Sequence, residues 1–385
     1  MNKVYNNQED FASKIKEFLI KVFGNFRKTQ LKIIPYIILG MICAESTVAS
    51  DIARELKNDF SLVQHDSVIK RIKRFFTNKL FSPYEFYDKI IRYVISTYKK
   101  KHNDMNVHIV FDHMFSHNNF TVFMISMRLG SQCIPIWFRC FKGNNDSEAF
   151  ATNLLKEGIS YVSTLFDGSF KLIFLADRWF GSTTLMEYIA SLGHFYCIRL
   201  KQNIKVFVSD KKTNELIYKS VGDLQTYQYH SNIIPNIEIT DKKYKTNIVI
   251  SKKKGTDEPW ILATNDVPSM AINHYSKRFG GIETLFKNQK SNGFYLEDVS
   301  NASLKYFESM YTMVCFSILF LTIIGADFNK NTKCYKSVKI TTHKRIKGKK
   351  IRVMSLFNTG LTLFKLAFNS SKYIRIPYNF ILYDI

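Results

Sequence analysis

Lys171-Leu-Ile-Phe-Leu-Ala-Asp177 decides the fold of this 385-residue chain. The five residues between its charged ends are all apolar, so it reads as a strand covered on both faces, as in the middle of an α/β sheet. It ends on a carboxylate, Asp177, where α/β sheets place ligand sites. Upstream, Val107-His-Ile-Val-Phe-Asp112 alternates like a strand that ends at Asp112. Phe120 to Leu129 and Cys133 to Phe141 follow, and Gly130-Ser131 suits the turn between them. These three runs predict an antiparallel meander. A helix is expected from Ser147 to about Val162, another from Ser182 to Leu192, and a strand from Phe195 to Leu200.

Three strands, a helix, a strand, a helix and a strand are the order of an RNase H-like core. The expected fold class is α/β: an RNase H-like mixed sheet flanked by helices, interrupted by a β-rich insertion, with an all-helical N-terminal domain. Residues 106–201 are the first part of the core. Residues 202–258 are polar, lysine-rich and strand-like, and read as the insertion. Residues 259–327 resume the core with Trp260-Ile-Leu-Ala-Thr264 and a helix carrying Tyr275 to Lys290.

Residues 1–105 read as helical. Ile33 to Ala44 is apolar, and Glu45-Ser-Thr then offers a helix start before Val48, Ile52, Ala53 and Leu56. A further helix from near Asp66 has one face of Val68, Ile69, Ile72, Phe75 and Phe76. Its other face carries Lys70, Arg71, Lys73 and Arg74. Two helices with a polar break between them fit a DNA-binding helix-turn-helix and a plain bundle with a solvated basic face equally well. Ser309 to Ala326 is an 18-residue uncharged run at the lower edge of a membrane span; a buried core helix is expected.

The chain carries 55 Lys+Arg against 32 Asp+Glu, a formal charge of +23. Excess charge of this size repels itself in a compact fold and points to a polyanionic partner. It is unevenly spread: +8 over residues 1–105, +11 over 286–385, and only +4 between. Residues 328–385 form a basic C-terminal region, with ten Lys or Arg and no acid from Lys330 to Arg352, among them Lys344, Arg345 and Lys347. A hydrophobic content of 46% excludes whole-chain disorder. Six scattered cysteines without a C-x-x-C pair read as reduced core thiols. The polar start MNKVYNNQED has no apolar h-region, so no secretory signal is expected.

Three acids stand apart: Asp112, Asp177 and Glu283. A carboxylate at the end of an apolar strand is costly to bury unless it is paired or binds a cation. Magnesium is held by a few carboxylates with waters and phosphate oxygens, and a metal pair can drive displacement at a phosphodiester. Taken singly, each Asp is a common turn former and Glu283 an ordinary surface residue. At 100° per residue, Ile282, Leu285 and Phe286 form an apolar stripe beside a polar one of Glu283, Lys287 and Lys290.

The residues around these acids carry a resemblance. Tyr275-Ser-Lys-Arg278-Phe-Gly-Gly-Ile-Glu283, continuing to Lys290, resembles the Tyr-Arg-Glu-Lys signature of DDE transposases of the insertion-sequence-four family. Asp177-Arg178-Trp179-Phe180 resembles the box around their second acid, and Ile109-Val-Phe-Asp112 their first-acid strand. One spacing departs: four residues separate Arg278 from Glu283, where the family has three. The resemblance implies that Asp112, Asp177 and Glu283 are catalytic and hold two Mg2+ or Mn2+ ions. It implies that Tyr275, Arg278 and Lys290 grip the DNA backbone, beside Arg178 and Lys287. Trp260 is either the aromatic that receives a flipped base or a core residue. Trp179 is expected in the core, and His113 and His117 in a structural or loop role.

The implied protein is a bacterial insertion-sequence transposase. It cuts double-stranded DNA at terminal inverted repeats and joins the 3′-hydroxyls to target DNA, in related enzymes often through a hairpin. It would act as a homodimer on DNA in the cytoplasm, away from membranes, with the N-terminal domain and C-terminal region binding DNA. The rivals are a non-catalytic DNA-binding descendant, an RNase H-like nuclease without strand transfer and, weakest, a membrane-associated basic protein.

Overall fold

In a computed structural model of the chain, the run Lys171–Ala176 lies inside one ten-stranded mixed sheet. The structure describes residues 4–5, 8–56, 64–102, 105–116, 118–143, 147–209, 216–224, 230–252, 258–299, 302–335, 338, 340–346, 349–370 and 374–375.

The N-terminal region is helical, as its patterning predicts. After a two-residue strand, β1 (Val4–Tyr5), come α1 (Gln8–Phe23), α2 (Lys28–Ala44), α3 (Ala49–Glu55), α4 (His65–Phe76) and α5 (Pro83–Lys99). Glu45 ends α2 in the left-handed region at φ 48°. Ser46 Oγ then accepts from the Val48 amide and donates to Asp51, which turns the chain into α3. Val68, Ile72, Phe75 and Phe76 of α4 are buried, while Lys70, Arg71, Lys73 and Arg74 are exposed.

β2 (Asn106–Ser116), β3 (Phe120–Leu129) and β4 (Gln132–Lys142) form the expected meander, turning at Gly130 with φ +55°. α6 (Thr152–Leu165) leads into β5 (Lys171–Ala176), which pairs parallel to β2. α7 (Thr183–Ser191) leads into β6 (Phe195–Arg199), parallel to β5. One reading of the sequence is corrected: β2 does not end at Asp112. Its pairing with β5 stops at Val110, but β2 runs on beside β3 to Ser116, because β3 offers a partner ladder beyond the end of β5.

The insertion supplies β7 (Lys205–Ser209), β8 (Leu216–Ser220), β9 (Ser231–Ile239) and β10 (Tyr244–Ser251). The chain returns as β11 (Trp260–Thr264), antiparallel to both β6 and β10, so the insertion's strands continue the core sheet. The order across the sheet is β4-β3-β2-β5-β6-β11-β10-β9-β7-β8. Every residue of β5 after Lys171 is buried, as its unbroken apolar run requires.

α8 (Ala271–Ser276) and α9 (Ile282–Lys290) replace the single helix expected over Tyr275 to Lys290. The break falls at Gly280, whose φ of +69° is open to glycine at little cost. α10 (Leu304–Lys330) contains the 18-residue uncharged run, and its most apolar window, of mean hydropathy 1.9, is wholly buried in the fold. It is the core helix the sequence suggests. Its Ser309, Thr312 and Ser317 hydroxyls donate to carbonyls four residues back, which removes the cost of burying them. A hairpin of β12 (His343–Ile346) and β13 (Lys349–Arg352) precedes α11 (Leu356–Ser370), and β14 (Ile374–Arg375) pairs with β1. α11 crosses α10 so closely that a Cβ on Gly325 would collide with the Leu356 carbonyl, and one on Gly360 with that of Leu321.

Candidate active site

The topology brings the three sequence-distant acids to one end of the sheet. Asp112 lies on β2 just past its last pair with β5. Asp177 follows β5 directly and caps the short turn Arg178–Phe180 by accepting from the Arg178 amide at 2.5 Å. Glu283 sits in the first turn of α9, and its Oε2 accepts from the Gly280 amide at 2.7 Å. The extra residue between Arg278 and Glu283 is absorbed here: the chain leaves α8, turns left-handed at Gly280 and re-enters helix at Ile282. Gly281 has no room for a Cβ against Arg128 and Cys133. Arg128 also donates to the Phe279 carbonyl at 3.1 Å. Nothing in the sequence singles out Arg128, because its role arises only where β3 passes this turn.

All three acids meet at Arg278. Its guanidinium lies 2.6 Å from Asp112, 3.4 Å from Glu283 and 3.7 Å from Asp177. Arg278 is only 6% exposed, and its Nε is buried without a hydrogen-bond partner. Burial pushes the Asp112 carboxyl up to about 6, against the pull of Arg278, and the charges of Asp177 and Glu283 raise it further. A cation beside Asp112 therefore favours its charged form. Among the described residues no three His, Cys, Asp or Glu side chains stand close enough to share an ion. The guanidinium is what the three carboxylates share. As hard oxygen donors converging on one positive point, they fit a divalent cation in chemistry, provided Arg278 moves aside.

The other expected contacts divide. Tyr275 is 1% exposed and edge-on to Trp260 and Phe279, and Arg278 faces the acids, so apolar packing and charge pairing hold both inward in this structure. Trp260 is half-buried and stacked on Phe279 at 5.2 Å and 6°. Trp179 is the reverse of a core residue, at 78% exposed, because the turn capped by Asp177 sends Phe180 inward and Trp179 out. Lys287 is exposed. Lys290 bonds the Phe115 carbonyl and lies 3.1 Å from Glu297. Arg178 and Arg199 share Glu258 at 2.9 and 3.1 Å. His113 holds the Ala149 carbonyl and stacks on Phe180, a structural role as expected. Lys344 and Arg345 are exposed on β12. His117 and Lys347 lie outside the described residues. A groove of about 910 Å³ between α1, α2 and α4 is lined by Lys16, Lys32, Arg71 and Arg74, beside other residues.

A second polar cluster lies at the opposite end of β2 and β5. His108 bonds His274 at 2.9 Å, His274 lies 3.3 Å from Asp266, and Asp266 bonds Lys171 at 2.6 Å. It anchors the underside of α8, the helix that carries Tyr275. Burial pushes His108 down to about 4, and the neighbouring His274, Lys277 and Arg128 add to the shift. Burial also lowers His274. A histidine lowered on folding must be charged at the expense of the fold. Its contribution is intact above its ordinary value of 6.5 and is lost as pH falls towards 4. His108 by itself should therefore remove about 2 kcal/mol of stability between pH 7.5 and pH 5, read in urea titrations as the difference between wild type and a His108 variant, since Asp112 works in the opposite direction. His108→Asn should remove that part of the dependence; an unchanged slope would show that His108 does not carry it.

The family described as transposase DDE domain matches residues 83–320. No curated protein sequence matches the chain. Among solved structures, the cryo-EM structure of the piggyBac transposase synaptic complex with hairpin DNA aligns at 12% identity and a TM-score of 0.41. The alignment covers 94% of this chain and 78% of that one. The crystal structure of Marinitoga piezophila Argonaute with 5′-hydroxyl guide RNA and target DNA aligns at 17% identity and a TM-score of 0.22, over 51% of this chain and 30% of that one. Likeness at this level carries no statement about activity.

Proposed function

The chain belongs to the transposase DDE-domain family, and from that premise we propose that it is the transposase of a bacterial insertion sequence. It would cut double-stranded DNA at the terminal inverted repeats and join the freed 3′-hydroxyls to a target. The observation that carries this reading is the convergence of Asp112, Asp177 and Glu283 on one cationic point, Arg278.

Asp112, Asp177 and Glu283 would hold two Mg2+ or Mn2+ ions. When bound, the ions supply activation of the attacking oxygen and charge on the leaving one. The rest falls to the chain's own residues. Arg278 leaves the three carboxylates and turns to the phosphate, for which its planar fork is suited. Lys287, and Lys290 once released from Glu297, offer further cations along the same edge. The exposed bases of α4 and β12 lie far from the acids in sequence and suit the flanking duplex. On this reading the protein works as a homodimer that holds two ends, on DNA in the bacterial cytoplasm.

A second reading is favoured by the placement of Arg278: a DNA-binding descendant in which the guanidinium stays among the acids and no ion enters. An assay with uncut and with pre-cut ends of the element, target plasmid and Mg2+ tests the proposal. Joined products support it. Cleavage of uncut ends without joining indicates a nuclease, and duplex binding with neither product indicates the non-catalytic descendant.

A further inference from the structure

Six aromatic side chains are exposed among the described residues: Phe115, Phe150, Trp179, Tyr218, Phe279 and Tyr295. Two of them, Trp179 and Phe279, are close in the chain to residues of the acid cluster. Trp179 is two residues beyond Asp177, and Phe279, next to Arg278, is stacked on Trp260, while Phe115 and Phe150 lie against the His113 ring, on the face of β2 opposite Asp112. Leaving apolar rings in water forgoes the burial energy that other phenylalanines of this chain collect. An exposed ring close to carboxylates suits a ligand with a flat apolar face.

Trp179 is the extreme case, 78% exposed. The Lys201 ammonium lies 4.6 Å from the centroid of its ring and covers one face, which leaves the other open. Arg178, its neighbour in the chain, is joined to Arg199 through Glu258. An open indole face, a cation behind it and an arginine next to it in the chain form a small site for a flat ring on an anionic backbone. A duplex cannot use that face, because its bases are stacked on each other. An unpaired nucleotide can.

We propose that Trp179, backed by Lys201, is a stacking site for one unpaired nucleobase of the DNA strand that reaches the acids. This rests on the transposase reading for the identity of that strand. The site is distinct from Trp260, whose ring is already stacked on Phe279.

The test measures binding in EDTA of a fluorescent ten-nucleotide oligo-dT and of a 20-base-pair duplex. The proteins are the full-length wild type, Trp179→Ala and Trp179→Phe. The exposed position makes the alanine variant compatible with the fold. Loss of one base–aromatic stack is expected to weaken oligo-dT binding by roughly tenfold. The proposal holds if the alanine variant loses at least threefold more affinity for oligo-dT than for duplex, and if phenylalanine binds oligo-dT more tightly than alanine. A smaller difference, or a phenylalanine variant no better than alanine, overturns it. Because no metal is present, the result is independent of cleavage. Failure to cut or join ends would remove the transposase reading and leave the stacking result standing.

Discussion

Asp112→Asn, Asp177→Asn and Glu283→Gln are each expected to lower Mg2+-dependent cleavage of the element's ends by about a thousandfold or more, a barrier increase of about 4 kcal/mol. Each substitution keeps the shape of the side chain and removes only its charge. The fold should tolerate this at Asp112, whose carboxyl is already pushed up to about 6 by burial. DNA binding should change little, because carboxylates repel phosphates rather than hold them. Gel-based cleavage and duplex binding, measured on the same preparations, check both halves. Full cleavage by all three variants would remove these acids from the chemistry. Loss of binding together with cleavage would mean that the substitutions damage the fold instead.

The second large effect concerns Arg278. Among the described residues its guanidinium is the positive group that all three acids share, and it is buried. Arg278→Gln leaves three carboxylates facing one another with no counter-charge. Removing one partner of a buried ion pair typically costs 3–5 kcal/mol. These acids are a quarter to a half exposed, which discounts the figure to about 3 kcal/mol. Without Arg278 the Asp112 carboxyl rises further, so the loss should be largest at neutral pH and shrink as pH falls and the acids are protonated. Millimolar Mg2+ should restore much of the loss, because a cation that binds only the folded state adds stability by mass action. Urea denaturation of wild type and variant, in EDTA and in Mg2+, reads this directly. If Mg2+ stabilises the variant no more than the wild type, Arg278 does not stand where a cation would bind.

Much of this was legible in the residues alone. The unbroken apolar run before Asp177 marks a strand buried on both faces, and the three runs upstream of it form the expected meander. The uncharged run of Ser309 to Ala326 reads as a core helix. The three acids could be named because each sits in a recognisable local pattern. What could not be read was how neighbours share space. Asp112 was expected at a strand end, but β2 continues because β3 is there to pair with it. Trp179 was expected inside, yet a three-residue turn capped by Asp177 rotates it into solvent.

The sequence by itself determined the element order, the basic flanks and the identity of the carboxylates, because periodicity, charge and local spacing are properties of short stretches. Only the tertiary structure decided that these acids meet at Arg278 and that Gly280 absorbs the extra residue before Glu283. It also decided that Tyr275 is buried and Trp179 exposed. Those outcomes depend on which surfaces of distant segments come into contact. Burial, Coulomb attraction and excluded volume then act between residues that no local pattern relates.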